Sequence, residues 1–585
     1  MRIDSIDIKK FRSIEKAHID MRDLTAIVGE NNAGKTAILR ALNSVFNFED
    51  EKNFFRDGSH RYAPNSNTYI TVVFSDIPDG ELKQKYACND TLKVNFSYEY
   101  KKNRRNLKII KEDDDKTINE VDKFIEMLSK CISYVYISSE RTNQDILWEH
   151  NTIFQRLVLN HLREHTRKRD NFTEKIKREC RNIHDRGLRN LEKQLASLYM
   201  QNQEVNFKID FPKDFNYEWI FNNLEISIGV PGMDKSRYLL EQWGSGTKSL
   251  AIIAMYRANA LFENKSIVLG IEEPETNLHP QAQKKFIQSL SSKMAENEVQ
   301  AIFTTHSTVL VDELEHENIV LVRREKTKNK NRFFKSSVCQ MEKDFWNRCG
   351  IASCKHYKFF QEGIRNSEFF FSRYVIICEG PNDAAVLKKM ISLHCGSCLA
   401  DVSFIVLSGV KSLAYPYFLL KELKIPFAVV VDKDFLFKYK NDDLEQSRSK
   451  NGLPQYKKQI NDEESTLKIL KDLFGENYDS KIRELEKTKS HTELFGILEK
   501  YQFYSMQYCL EMDLTCSKRI REKYYEILNI GPENRNQKYL LEKRRGPIKK
   551  QENILAIITN STAADYPLCL QKMKNSLVKN IQTYC

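Results

Sequence analysis

Long apolar runs are missing from this 585-residue chain. No stretch approaches the ~18 apolar residues that a membrane-spanning helix needs. The most apolar helix candidate, Ser249 to Phe262, carries Arg257 in its middle, so no membrane partner is expected. The opening Met1-Arg2-Ile3-Asp4-Ser5-Ile6 lacks the apolar core of a signal peptide. The 13 cysteines are odd in number and scattered. They argue against a disulfide framework and for reduced thiols in a cytoplasm. His394-Cys395-Gly396-Ser397-Cys398 and Cys349 to His356 have no second, well-spaced C-x-x-C beside them, so structural zinc is not expected. From Thr152 to Gln203 there is no proline and only one glycine, Gly187. Nothing there breaks a helix. Disorder is excluded by 41% apolar and 11% aromatic residues, enough for two or more domains with their own cores. The net charge of +12 leans toward a polyanionic partner, although a lysine-rich surface gives the same balance without one.

What is present begins with Gly29-Glu30-Asn31-Asn32-Ala33-Gly34-Lys35-Thr36, which fits G-x-x-x-x-G-K-[ST] at every fixed position. Leu24 to Val28 reads as a buried strand before it, and Thr36 to Leu42 follows with helical spacing. In that setting Gly29 and Gly34 let the loop, with Asn31 and Asn32, turn its N–H groups onto phosphates. Lys35 neutralises phosphate charge and the Thr36 hydroxyl holds Mg²⁺. Further strands are expected at 2–9, 17–19, 69–74, 92–98 and 132–138, with charged turns at 101–105 and 111–116. Thr152 to Gln203 predicts a helical insertion, with Leu188, Leu191, Leu195 and Leu198 as a packing or dimerisation stripe.

A nucleotide-site pattern returns at Gln242-Trp243-Gly244-Ser245-Gly246-Thr247-Lys248-Ser249, a glycine-punctuated turn expected to open a helix from Leu250 to Phe262. Ser266 to Glu275 then has Walker B form. Glu272 is placed for the Mg²⁺ shell, and Glu273 for polarising the attacking water. A further strand, from Gln300, ends at His306, a candidate γ-phosphate sensor. These elements in this order resemble ABC-type ATPase heads of DNA-maintenance proteins, as does Ile8-Lys9-Lys10-Phe11-Arg12-Ser13-Ile14. The resemblance implies that Ser245, Gly246 and Lys248 act in trans across a dimer of heads, with ATP between them. Arg323 to Lys335 is a basic run, read as a solvated hairpin or linker.

A second constellation follows. Tyr374 to Cys378 is an apolar strand ending in Glu379-Gly380-Pro381-Asn382-Asp383. Val402 to Leu407 leads to Ser408-Gly409, and Ala428 to Val431 runs into Asp432-Lys433-Asp434, with helices expected at 384–393 and from Ser412 through Leu423. Alternating strands and helices predict a small parallel sheet with Glu379, Asp383, Asp432 and Asp434 at its C-terminal edge. Four carboxylates there need cations, and oxygen ligands favour Mg²⁺ or Mn²⁺. The pattern resembles the Toprim fold. An ABC-type head followed by Toprim resembles the OLD (overcoming lysogenisation defect) family of ATP-associated nucleases.

The family resemblance implies a later acidic pair and a lysine. Glu511 and Asp513 fit the pair as metal ligands. Lys549-Lys550 fits the lysine region, with Lys550 favoured over Lys549 as the active-site lysine and the choice between them left open. The fold expected is α/β: a head in two parts, 1–150 and 211–335, around a dimerisation insertion at 151–210; a linker at 336–369; and a Toprim domain at 370–585 with a helical insertion at about 436–505. Arg448 to Pro454 is expected to be flexible, and the tail from Gln571 carries no readable pattern. The implied activity is ATP-regulated, two-metal cleavage of DNA by a homodimer or higher oligomer. The implied setting is prokaryotic anti-phage defence, beside an operon-encoded helicase-like or reverse-transcriptase partner. Two other readings stay open from the residues: a DNA-binding repair-type ATPase without nuclease activity, and topoisomerase or primase chemistry.

Overall fold

A computed structural model describes residues 1–111, 116–118, 120–140, 154–158, 166–190, 227–229, 237–242, 244–262, 265–294, 299–326, 334–342, 345, 367–407, 409 and 412–585. The N-terminal alternation forms β1 (Arg2–Phe11), paired antiparallel with β2 (Ile14–Asp20). Ile3, Ile6 and Ile8 are all buried, although Ile3 and Ile6 differ in parity. A register shift between Ile3 and Ser5 turns the chain so that both face inward.

The strands that follow are β3 (Leu24–Val28), β4 (Thr68–Ser75), β5 (Leu92–Glu99), β6 (Arg104–Ile109), β7 (Lys116–Thr117), β8 (Ile132–Ile137), β9 (Ser227–Gly229), β10 (Arg237–Leu239), β11 (Ser266–Glu272), β12 (Val299–Thr305), β13 (Ile319–Lys326) and β14 (Phe334–Gln340). Except for the β9–β10 ribbon they join β1 and β2 in a twelve-stranded sheet, ordered β7-β6-β5-β4-β1-β2-β14-β13-β3-β12-β11-β8. One wing is antiparallel from β1 through β4, β5 and β6 to β7, and β12-β11-β8 is parallel. Strands β3, β11 and β12 are buried along their whole length, their polar residues included, as strands covered on both faces are.

Two local expectations shift. Arg104 and Arg105 belong to β6 and not to a turn, because they pair with Glu99 and Tyr98 across the hairpin. The helix expected from Leu250 begins at Ser245. Lys248 N–H already donates to Gly244 O at 3.2 Å, so the glycine-punctuated segment is the helix's first turn. In the insertion, a helix at Thr166–Ile183 runs into a single π-turn at His184–Leu188, where Gly187 sits. Leu191, Leu195 and Leu198 of the expected stripe, Trp243, and the basic core at 327–333 lie outside the described residues.

The chain divides into two compact units: 1–27, 34–305 and 325–336 in the first; 28–33, 306–324 and 337–585 in the second. The second holds a four-stranded parallel sheet, ordered β16-β15-β17-β20, from β15 (Tyr374–Cys378), β16 (Val402–Val406), β17 (Phe427–Val431) and β20 (Phe503–Ser505). Helices Pro381–Cys395 and Ala414–Glu422 are the expected connections. The segment before β20 is not wholly helical: β18 (Phe437–Tyr439) and β19 (Tyr456–Ile460) form an antiparallel pair before helices Glu464–Phe474, Tyr478–Glu486 and His491–Leu498. Arg448 to Pro454, expected to be flexible, is a tied turn. Arg448 pairs with Glu445 at 2.6 Å and donates to Gly452 O at 2.5 Å, and an isolated bridge joins Arg448 to Pro454. The tail forms helix Leu568–Tyr584, whose Met573, Leu577 and Ile581 are fully buried in the core with Ile376, Leu387 and Val430.

Candidate metal centre and nucleotide loop

The parallel sheet of the second unit presents its C-terminal strand ends together, and each end that matters carries an acid. Glu379 follows β15 and Asp432 follows β17, with Asp434 in the short helix Lys433–Leu436. Ligand oxygens of Glu379, Asp432 and Asp434 lie within 4.8 Å of one another. Glu379 Oε2 accepts from the Asp432 N–H at 3.2 Å, which locks the two strand ends in register. Asp434 Oδ2 accepts from the Tyr439 hydroxyl at 3.1 Å, while its Oδ1 is buried with no hydrogen-bond partner.

Burial, then the neighbouring Asp434, Asp383 and Glu511 charges, push the Glu379 carboxyl up to about 7 against the pull of the Asp432 N–H. Asp383 rises to about 6 by burial, with Glu511 adding to the rise. Asp432 and Asp434 are raised as well, burial first. Such groups resist ionising together without a counter-charge. Hard oxygen donors, one orphaned buried oxygen and an excess of negative charge fit a divalent cation.

The other acids predicted for this site have different placements. Asp383 accepts from the Gly380 N–H at 2.8 Å, capping the helix that begins at Pro381, and sits at the edge of the cluster. Glu511, on the helix Leu510–Cys516 after β20, is 12% exposed and takes the Lys549 ammonium at 2.5 Å. Asp513 does not join them. It is fully buried and accepts from the N–H groups of Gln507 and Tyr508 at 2.8 and 2.9 Å, so it braces the loop before its own helix. On a helix, positions two apart do not share a face, which separates Asp513 from Glu511. Lys550, favoured in the sequence, is placed apart from the acids. It caps the helix Gln551–Thr559, is 63% exposed and pairs with Glu552 at 3.5 Å. Lys549 is the lysine that reaches the acids, and Asn382, next to Asp383, holds its backbone by donating to Lys549 O at 2.9 Å. Tyr439 and Asn382 were not anticipated in these roles, and no spacing in the sequence marks Tyr439.

The nucleotide loop has the required backbone. Gly29 has φ +149°, and a Cβ there would stand 2.0 Å from Val322 O. Gly34 has φ +106°, and its Cβ would fall 2.3 Å from Ser336 Oγ and 2.6 Å from Ser13 Oγ. Only glycine fits either place. Gly34 is the N-cap of the helix Lys35–Phe46 without a side-chain bond, and the Ala37 N–H donates to Gly34 O at 3.1 Å, so the loop runs directly into the helix's positive end. Lys35 is buried, Thr36 half-buried, and Asn31 and Asn32 exposed.

At the end of β11, Glu272 is 8% exposed, and its oxygens accept from the Tyr136 hydroxyl at 2.6 Å and the Ser139 N–H at 3.3 Å. Glu273 is held at φ +40°, a strained region for a non-glycine residue, by its N–H donation to Thr304 O at 3.0 Å. His306 follows β12, half-buried. Ser245 and Gly246 open the helix Ser245–Phe262, and a Cβ at Gly246 would lie 2.4 Å from Asn277 O.

Among the described residues Glu379, Asp432 and Asp434 form the only acid, histidine or cysteine cluster with metal-ligand spacing. No described cysteine is in a disulfide. No described helix is long and apolar enough to cross a membrane.

Comparison with known proteins matches residues 1–311 to an AAA ATPase domain and residues 370–434 to the Overcoming lysogenization defect protein-like TOPRIM domain. These two domains use a nucleotide and a divalent metal. The "OLD nuclease" of Thermus scotoductus is 23% identical, over 73% of this chain and 81% of its own. The "Endonuclease GajA" of Bacillus cereus (strain VD045) is 21% identical, over 97% of this chain and 96% of its own. Among solved structures, an Smc head bound to the C-winged helix domain of ScpA aligns with 59% of this chain and 99% of its own at 17% identity and a TM-score of 0.38. An AAA ATPase domain spanning more than half the chain, followed by an OLD-like Toprim domain, makes this protein a member of the OLD family of ATPase–Toprim nucleases.

Proposed function

We propose that this chain is a metal-dependent endonuclease that cuts or nicks DNA under the control of ATP. The observation that carries the reading is the convergence of Glu379, Asp432 and Asp434 within 4.8 Å, with an orphaned oxygen on Asp434. Glu379, Asp432 and Asp434 would hold Mg²⁺ or Mn²⁺, with Asp383 and Glu511 at the edge for a second ion. Divalent ions in such a site supply Lewis acidity to a phosphodiester and activate water. The chain's own groups do the rest. Tyr439 holds Asp434 in one orientation, and the Asp432 N–H holds Glu379. Lys549 brings a cation to the site's edge, where phosphate charge develops during cleavage.

At the nucleotide loop, Gly29, Gly34 and Lys35 would cradle the phosphates of ATP, with Thr36 and Glu272 toward its Mg²⁺ and Glu273 and His306 toward its γ-phosphate. Ser245 and Gly246 would serve the loop of a second copy. Control by ATP is supported by contacts within the second unit. Glu30, inside the nucleotide loop, pairs with Arg324 at 2.9 Å and with Arg373 at 3.5 Å. Arg373 directly precedes β15, the strand that ends at Glu379.

Plasmid nicking with Mg²⁺ or Mn²⁺, with and without ATP, tests the reading. Glu379→Ala is expected to abolish cleavage while leaving ATP turnover, and full cleavage by that variant would sink the assignment. Family resemblance extends the proposal to defence against phage, tested by plaque counts on cells expressing the wild-type chain and Glu379→Ala.

A further inference from the structure

A basic cavity of about 270 Å³ is joined to the acidic cluster by one residue. Lys433 stands between Asp432 and Asp434 in the chain. Its flanking acids belong to the cluster, and its own side chain turns the other way, over the ring of Tyr456 at 4.9 Å and toward Tyr508 at 6.0 Å. Lys457, Lys458 and Lys489 complete the cationic lining.

Lys457 is neutralised by Asp442 at 2.6 Å. Lys433, Lys458 and Lys489 have no carboxylate within 4 Å of their ammonium groups among the described residues. The one acid of the lining, Glu486, already accepts from the Ile460 N–H at 3.2 Å. His491 Nε2–H donates to Ser505 O, 2.9 Å away, and burial lowers its pKa, so it adds no fixed charge. Lys433, which feels the buried Asp513 charge, together with Lys458 and Lys489 outweighs the single Glu486 carboxylate of the lining, an excess of positive potential that an anion relieves.

Aromatic rings join this cavity to the metal site. Tyr439, whose hydroxyl holds Asp434, lies 5.2 Å from Tyr456 centre to centre, and Tyr456 lines the cavity beside Tyr508. Lysines that meet phosphates, with flat rings beside them, are the chemistry by which a single strand is gripped without regard to sequence. We propose that this cavity binds a phosphate of the DNA strand whose scissile bond lies at the acidic cluster. The proposal rests on the nuclease reading and adds the side on which the strand runs: past Lys433, over the β18–β19 ribbon, toward the helix Tyr478–Glu486.

Binding read without cleavage tests it. Fluorescence anisotropy of a short single-stranded oligonucleotide is measured in EDTA across a salt series, with the full chain and with Lys458→Ala/Lys489→Ala. Both lysines are exposed, so the fold is retained, which circular dichroism checks. Expected are weaker binding at every salt concentration and a salt slope smaller by about 0.7 for each lysine that meets a phosphate. Lys458→Arg/Lys489→Arg is expected to restore both. Unchanged affinity and slope in the alanine pair overturn the proposal. So does displacement of the oligonucleotide by a mononucleotide only in the wild type while the alanine pair binds the strand normally, because the cavity then serves free nucleotides. A wild-type chain that binds through these lysines but never cuts with Mn²⁺ overturns the nuclease reading alone. Normal cutting and binding without the lysines overturn the cavity alone.

Discussion

Lys549 and Lys550 are neighbours with opposite environments. Lys549, 46% exposed, pairs with Glu511, whereas Lys550, 63% exposed, stands at a helix cap and pairs with Glu552. A cation positioned where phosphate charge develops is worth about 10²–10³ in rate. Lys549→Ala is therefore expected to slow plasmid nicking by about that factor, and Lys550→Ala by less than about two-fold, with initial rates as the measurement. At Asp434, the buried oxygen without a partner is the position a cation completes. Asp434→Asn is expected to remove Mn²⁺ binding from the site, read by calorimetry, while circular dichroism stays unchanged. Residue identity alone separates neither lysine from the other, nor Glu511 from Asp513. All four fit the family pattern, and only side-chain direction sorts them.

Elements carry their own consequences. The short turn His316–Asn318 buries a histidine that faces Tyr415, Phe369 and Phe370, with His316 Nδ1 2.7 Å from the Tyr415 hydroxyl. Burial pushes the His316 pKa down from 6.5 to about 3, so the folded chain keeps it neutral. An unfolded chain protonates that histidine first. Its contribution to stability is complete above pH 6.5, shrinks as the pH falls below 6.5, and goes on shrinking to about 3. His316→Gln is expected to flatten the fall in stability between pH 6.5 and 5 by up to about 1.4 kcal/mol per pH unit, measured by denaturant titration at each pH. An equal slope in both proteins would place the titration elsewhere.

Much at this scale was legible in the sequence. Runs such as Leu24–Val28, Ser266–Glu272 and Tyr374–Cys378 are mostly apolar and buried at every residue, because strands covered on both faces bury all their side chains. Less legible were the pairing of β18 with β19 and the fourth strand β20. Phe503–Ser505 is too short to show a period, and it is a strand because Val429 to Val431 offer it an edge.

At the scale of the whole molecule, Glu30 of the nucleotide loop pairs with Arg373, the residue before the strand that ends at Glu379. Its ion pairs are partly exposed, so each contributes only about 0–1 kcal/mol to stability, and removing one leaves the fold intact. Arg373→Ala is thus expected to keep ATP turnover and metal-dependent cleavage while shrinking the change in cleavage rate that ATP produces. Lys35→Ala is expected to abolish nucleotide binding yet leave Mn²⁺ binding at the acidic cluster. Loss of both activities in a folded Lys35→Ala chain would contradict separate sites.

By itself the sequence determined which chemistries the protein holds, namely a phosphate loop with its strand-end acids and a later set of acids on successive parallel strands. Those signals are local: a glycine spacing, a buried run, a carboxylate one residue beyond a strand. The tertiary structure decided which residues act together. Glu511 meets Lys549, Asp434 meets Tyr439, and Asp513 is withdrawn into a loop brace. Lys433 turns away from the acids on either side of it and toward a basic cavity. Each of these depends on the direction a side chain takes from its backbone and on elements distant in the chain, and neither is written in the spacing of residues.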